Sequence, residues 1–260
     1  MTFLAFDHVD FCYPGWPATL RDVGLELREG EIHCLVGRSG SGKTTLLKLA
    51  AGLLDPTAGT VGLRGAAPAH HRANIGFVFQ SPTLLEWLSV SANVLLPIAL
   101  KRTPTAIDRA KADALLAQLG LEGFGARHPR ELSGGQQSRI ALARALILDP
   151  PLLVFDEPFA ALDAMTREDL QHDLAATIHA QRASALFVTH DISEAVYLGD
   201  RVTLVDAGMV ASTVTIDLPR PRADGVRYTP EFALHARGLR EAMERAQAMQ
   251  RAQSVGRAQS

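Results

Sequence analysis

The sequence predicts an α/β fold in which a sheet-forming lobe is interrupted by a helical insertion. Three observations carry this prediction. Short strand-like runs open the chain, helical spacing takes over from about residue 89 to 148, and strand signals then return in alternation with helical segments. Such alternation implies a parallel sheet with helices on its faces.

Taken in order, residues 3–11 and 23–28 read as strands, and 31–36 is a third that ends in a glycine-rich loop. Residues 43–51 are helical in pattern, while 59–63 and 75–79 are strand-like. Thr105 and Asp108 form a capping box ahead of a helix at 109–119, and residues 135–148 are helical again. Strands are expected at 152–155, 185–189 and 201–205. The Pro-, Arg- and Gly-rich stretch 219–227 reads as a connector. Thr229 and Pro230 then supply an N-cap and a first-turn proline. Phe232, Ala236, Leu239, Met243 and Ala246 follow on one face of a terminal helix, a face suited to packing on the body or to regulation. The last residues, rich in Gln, Arg, Ala and Ser, are expected to fray. These breaks divide the chain into a core lobe (1–88 and 150–216), a helical subdomain (89–149) and a C-terminal extension (217–260).

Composition narrows the function classes. A hydrophobic fraction of 47% with 21% charged residues is that of an ordinary globular protein. The net charge of −2, with the signs interspersed, argues against a nucleic-acid surface. Cys12 and Cys34 both fall in strand-like stretches and are expected to be buried apolar thiols in a reducing compartment. Residues 1–10 are too short and too charged for a secretory signal. No run approaches the ~18 apolar residues of a membrane span, so any membrane crossing belongs to another chain. His70 and His71 lack a partner at ligand spacing and read as solvated loop residues.

The chemistry begins at Gly37-Arg38-Ser39-Gly40-Ser41-Gly42-Lys43-Thr44, a phosphate loop set between a hydrophobic strand and a helix. Its glycines let backbone N–H groups turn inward around a phosphate, and the helix start adds its dipole. Lys43 suits the β- and γ-phosphates of ATP, and the Thr44 hydroxyl suits Mg²⁺. Thr45 completes the nucleotide-binding run. In Leu152-Leu153-Val154-Phe155-Asp156-Glu157, four apolar residues make a buried strand with two carboxylates at its carboxyl end. Asp156 suits Mg²⁺ and Glu157 suits activation of the attacking water.

Between these lies Leu132-Ser133-Gly134-Gly135-Gln136, which resembles the signature of the ABC ATPases. The neighbours agree in order and spacing. Tyr13 is similar to that family's adenine-stacking aromatic, and Gln80 to its glutamine switch. Ala161-Leu162-Asp163 is similar to its D-loop, and His190 to its switch histidine. The resemblance implies a P-loop NTPase (RecA-like) core with an N-terminal antiparallel β region and an inserted α-helical subdomain. It implies ATP with Mg²⁺ held by Thr44, Gln80 and Asp156, and catalysis by Glu157, His190, Gln80 and Lys43. It also implies a head-to-tail dimer of two copies, in which Ser133, Gly134, Gly135, Gln136 and Asp163 of one copy face the ATP bound by the other.

Asp156-Glu157-Pro158-Phe159 resembles importer ATPases, whose permeases are separate chains and whose cargo arrives on an extracytoplasmic substrate-binding protein. The run from Gly76 to Trp87, with Phe159 to Arg167, is similar to the nitrate, sulfonate and taurine importer group, some of whose members carry thiamine-pyrimidine precursors. Glu86 and Ala160 depart from that group, which often has proline and glycine there. The implied location is peripheral, on the cytoplasmic face of the inner membrane. An exporter ATPase, or a soluble ABC ATPase acting on DNA or ribosomes, are the alternatives. Residues 81–100 follow Gln80 and include Leu84, Leu85, Trp87 and Leu88, expected either to anchor the helical insertion to the core or to form a groove for a short permease helix with Trp87 at or near its wall.

Overall fold

The computed structural model describes residues 2–68, 70, 74–160 and 162–258. His71 and Ala161 lie outside the described residues. The chain forms two compact units, residues 1–72 with 186–260 and residues 73–185. That division differs from the expected core lobe and helical subdomain, because two strands group with the helical segment.

In the first unit, β1 (Thr2–Cys12) pairs antiparallel with β2 (Ala18–Arg28) on one side and β4 (Ala58–Leu63) on the other. β2 starts five residues before the expected strand. Its buried residues Leu20, Val23, Leu25 and Leu27 break strict alternation at Asp22, whose φ is 47° and whose N–H donates to Asp10 Oδ1 at 2.7 Å. A bulge of this kind hides the period-two signal on which the expectation rested. β3 (Ile32–Val36), buried at all five positions, runs parallel to β8 (Arg201–Asp206). β9 (Met209–Thr215) closes antiparallel on β8; its Thr, Ser and half-exposed Val residues left no strand to expect. α1 (Lys43–Ala50) follows β3, and α6 (Ile192–Leu198) follows β7 (Ser184–Val188), the strand on which the chain returns to this unit.

The terminal helix α7 (Pro230–Ala258) is entered as expected, with Thr229 Oγ1 accepting from Phe232 N–H at 3.3 Å and with Phe232 and Leu239 buried. It continues through the segment expected to fray, where Ala, Gln and Arg dominate and all favour helix.

In the second unit, β5 (Ile75–Val78) runs parallel to β6 (Leu152–Asp156), with Gly76 opposite Leu153. α2 (Val90–Ala99), α3 (Ala106–Gln118) and α4 (Gly134–Leu146) form the helical segment, and α5 (Ala164–Ala180) follows β6. The Thr105–Asp108 capping box is present, and Arg102 grips the Asp108 carboxylate with bonds of 2.6 and 2.8 Å.

Cys34 is buried as expected, and burial pushes its thiol well above the ordinary range. Cys12 is not buried: it follows inward-facing Phe11 and so falls on the solvent face of the alternating strand. His70 is exposed.

Candidate active site

β3 delivers the chain to Gly37 at its carboxyl end. Gly37, Gly40 and Gly42 have φ of 152°, 79° and 100°. A Cβ at Gly37 would stand 2.1 Å from the carbonyl oxygen of Val205, so only glycine lets the loop close there. Gly42 is the N-cap of α1 and offers no side chain to the first-turn N–H groups. Ser41 is buried, and its hydroxyl has no hydrogen-bond partner among the described residues. Arg38, Ser39 and Gly40 are exposed at the rim. Lys43, 6% exposed, donates from Nζ to the carbonyls of Gly37 and Arg38, both at 2.8 Å, which draws its ammonium over the loop. Thr44 is exposed and Thr45 buried. The Tyr13 hydroxyl lies 3.3 Å from Thr45 Oγ1, and its ring meets Phe11 edge-on with centroids 4.9 Å apart. Tyr13 is thereby fastened to the helix that starts at the phosphate loop. A buried hydroxyl in need of a partner, an uncapped helix start and a left-handed glycine backbone are what a polyphosphate requires, so these residues fit one.

In the same unit His190 is exposed just beyond the end of β7. Its neighbours are fixed. Thr189 N–H donates to Leu35 O at 3.2 Å, and Thr189 Oγ1 accepts from Asp191 N–H at 3.0 Å. Asp191 caps α6 by accepting from the N–H groups of Ser193 and Glu194 at 2.7 and 3.2 Å.

In the second unit every residue of β6 is buried, and Asp156 closes it at 8% exposure. Glu157 follows with φ 47°, a left-handed conformation that a non-glycine residue adopts only when its surroundings force it. Gln80 is exposed two residues past β5, which ends one residue earlier than expected, and the exposed Phe79 stacks on Phe77 with ring centroids 4.2 Å apart. Ser133 and Gln136 cap each other reciprocally. Ser133 Oγ accepts from Gln136 N–H at 3.3 Å and Gln136 Oε1 accepts from Ser133 N–H at 3.0 Å. Gln136 is thus committed to shaping the start of α4. Gly134 leads into that turn, and at Gly135 a Cβ would meet Leu162 at 2.9 Å. Asp163 caps α5 by accepting from Thr166 N–H at 3.0 Å, a bond that holds its carboxyl below the usual range.

Three residues that sequence reasoning missed hold the segment after Gln80. Arg144 of α4 donates to Pro82 O at 2.8 Å and to Thr83 O at 2.9 Å, and Thr83 itself has φ 47°. Asn93, fully buried, exchanges bonds with Leu85 N–H and the carbonyls of Leu85, Leu88 and Ser89 at 2.8 to 3.1 Å. Arg130, just ahead of the signature, pairs with the unexpected Glu86 at 2.5 and 2.8 Å. Arg144 and Arg130 reach partners some 60 and 44 residues away, and Asn93 grips backbone groups that any sequence supplies, so no local pattern marks any of the three. Trp87 is 75% exposed, and Leu84, Leu85 and Leu88 are half-buried, so Trp87 does not anchor the core of its unit.

The family model for the ABC transporter matches residues 20–160, which hold the phosphate loop, the signature and the acidic pair. The chain belongs to the ABC transporter family. It is an ATP-binding, ATP-hydrolysing subunit of that family. It is 46% identical over 211 residues to the aliphatic sulfonates import ATP-binding protein SsuB 1 of Xanthomonas axonopodis pv. citri, covering 80% of this chain and 84% of the relative. It is 44% identical over 230 residues to SsuB of Rhodopseudomonas palustris (strain CGA009), covering 88% and 79%. Among solved structures it resembles the dimeric post-hydrolysis state of the ATP-binding cassette MJ0796 bound to ADP and Pi. That match has a TM-score of 0.75 and 31% identity, over 83% of this chain and 100% of the other.

Proposed function

We propose that this subunit hydrolyses ATP to energise import of aliphatic sulfonates through a separate membrane permease. The observation that carries the reading is the glycine-bent loop from Gly37 to Lys43, with its buried, unpartnered Ser41 hydroxyl, in a chain 46% identical to a sulfonate import ATP-binding protein. No helix among the described residues is long and apolar enough to cross a membrane, which accords with a peripheral subunit docked on the cytoplasmic face.

Lys43 and the loop amides would neutralise the β- and γ-phosphates, with Tyr13 on the adenine side. Thr44, Asp156 and Gln80 each offer an oxygen donor of the kind Mg²⁺ takes, and the ion would supply neutralisation of phosphate charge. Glu157 would accept a proton from the attacking water, with His190 and Gln80 orienting it. Phosphoryl transfer asks chiefly for positioning and charge stabilisation, and these groups provide both. Two copies would pair head to tail, so that Ser133, Gly134, Gly135 and Asp163 of one face the nucleotide of the other. The relative with a dimeric ADP- and Pi-bound structure supports that pairing. Cargo would reach the permease on an extracytoplasmic substrate-binding protein.

The test is genetic. A strain lacking this chain should fail to grow on an alkanesulfonate as sole sulfur source while growing normally on sulfate. The wild-type chain should restore growth, and Lys43→Ala should not. Undiminished growth of the deletion strain on the sulfonate would contradict the proposal.

A further inference from the structure

Arginines of the C-terminal extension converge on one end of α6. The last carbonyls of any helix lack partners within it, and a cation there also complements the helix dipole. Arg222, 5% exposed, donates from Nη1 to the carbonyls of Val196, at 2.7 Å, and of Tyr197, and from Nη2 to Gly199 O at 2.7 Å. Arg220 donates to Leu198 O at 2.6 Å and to Asp200 Oδ1 at 2.8 Å. Two guanidiniums therefore take four successive carbonyls, 196 to 199. Arg227 lies 4.0 Å over the Tyr197 ring and donates to Ser193 Oγ at 3.2 Å. Asp200 in turn fastens this end to β3, accepting from Ile32 N–H at 2.8 Å and donating its own N–H to Ile32 O at 2.7 Å.

The other end of the same short helix is the Asp191 cap, and His190 immediately precedes it. A seven-residue helix clamped at its carboxyl end has little freedom to shift at its amino end. We infer that Arg222, assisted by Arg220 and Arg227, is a positioning residue that holds His190 in register for the reaction through α6. The extension then contributes to the reaction through α6. This inference rests on the proposed role of His190.

The experiment is a double-mutant cycle on the full chain. Lysine keeps the charge of Arg222 but cannot span three carbonyls with a planar fork. Arg222→Lys should lower kcat by about ten- to a hundredfold, the scale of loss expected from a small misplacement of a reacting group. ATP affinity should be unchanged and melting should stay above the assay temperature. In a His190→Gln background, with the residual rate read by single turnover at excess enzyme, the same change should alter the rate by no more than about twofold. If His190→Gln alone turns over at the wild-type rate, the proposed site fails, whatever Arg222 does. If His190→Gln is impaired but Arg222→Lys slows both backgrounds by one factor, or neither, the positioning inference is overturned and the site stands. Should Arg222→Lys not fold, Arg227→Gln, which removes the Tyr197 and Ser193 contacts while keeping the bonds that Arg220 and Arg222 make to the helix carbonyls, carries the same prediction and the same outcomes.

Discussion

His33 lies wholly buried in β3, with Nε2 2.7 Å from Thr203 Oγ1 and Nδ1 3.1 Å from Glu26 O. Burial, aided by the Arg201 charge, lowers its pKa from 6.5 to about 3. Above pH 6.5 neither the folded nor the unfolded chain protonates this ring. As pH falls from 6.5 toward 3, the unfolded chain takes a proton that the folded chain refuses, and stability declines by up to about 1.4 kcal/mol per pH unit. We expect denaturant midpoints measured from pH 7 to pH 5 to report a loss of roughly 2 kcal/mol from this residue. In His33→Gln that portion of the decline should vanish; an unchanged slope would remove His33 as its source. The strand that bears this residue also carries the phosphate loop, so acid should loosen the nucleotide site along with the fold.

At the scale of elements, the segment from Ser81 to Ser89 divides into a held side and a presented side. Asn93 holds it from within, making four bonds to the backbone. Trp87 is presented outward. The two should respond oppositely to truncation. Asn93→Ala leaves buried backbone groups unpaired and should cost about 2–3 kcal/mol of stability. Trp87→Ala should change stability by less than about 0.5 kcal/mol, as surface changes do, yet weaken permease assembly or uncouple hydrolysis from transport. Thermal melts beside transport in reconstituted vesicles would check both. Transport untouched by Trp87→Ala would rule out a coupling role, and a stability loss matching that of Asn93→Ala would return the residue to the core. Arg144 and the Glu86–Arg130 pair tie this segment to the signature helix, so movement at one would be felt at the other.

For the whole molecule, what was legible in the sequence was what depends on neighbours in sequence. The phosphate loop, the Ser133–Gln136 turn, the Asp156–Glu157 pair and the Thr105–Asp108 cap each need residue types at fixed short spacing, because helix and strand geometry alone brings them together. The arginines of the C-terminal extension were not legible, since Arg222 recognises carbonyls some 25 residues away, which any sequence supplies. The bulge at Asp22 hides half of β2, and Cys12 is exposed because residence in an alternating strand does not by itself say which face a residue occupies. The ATPase reading itself gathers all the local motifs into one claim, that Glu157 drives hydrolysis in a nucleotide-bridged pair of chains. Glu157→Gln keeps the shape of the side chain and removes its basicity. Size exclusion of this variant with ATP and Mg²⁺, beside its turnover, tests the claim most directly. ATP binding should be unimpaired, turnover should fall by at least about a hundredfold, and a stable dimer should form that dissolves when ATP is withdrawn. Hydrolysis at the wild-type rate, or a monomer at saturating ATP, would contradict the claim.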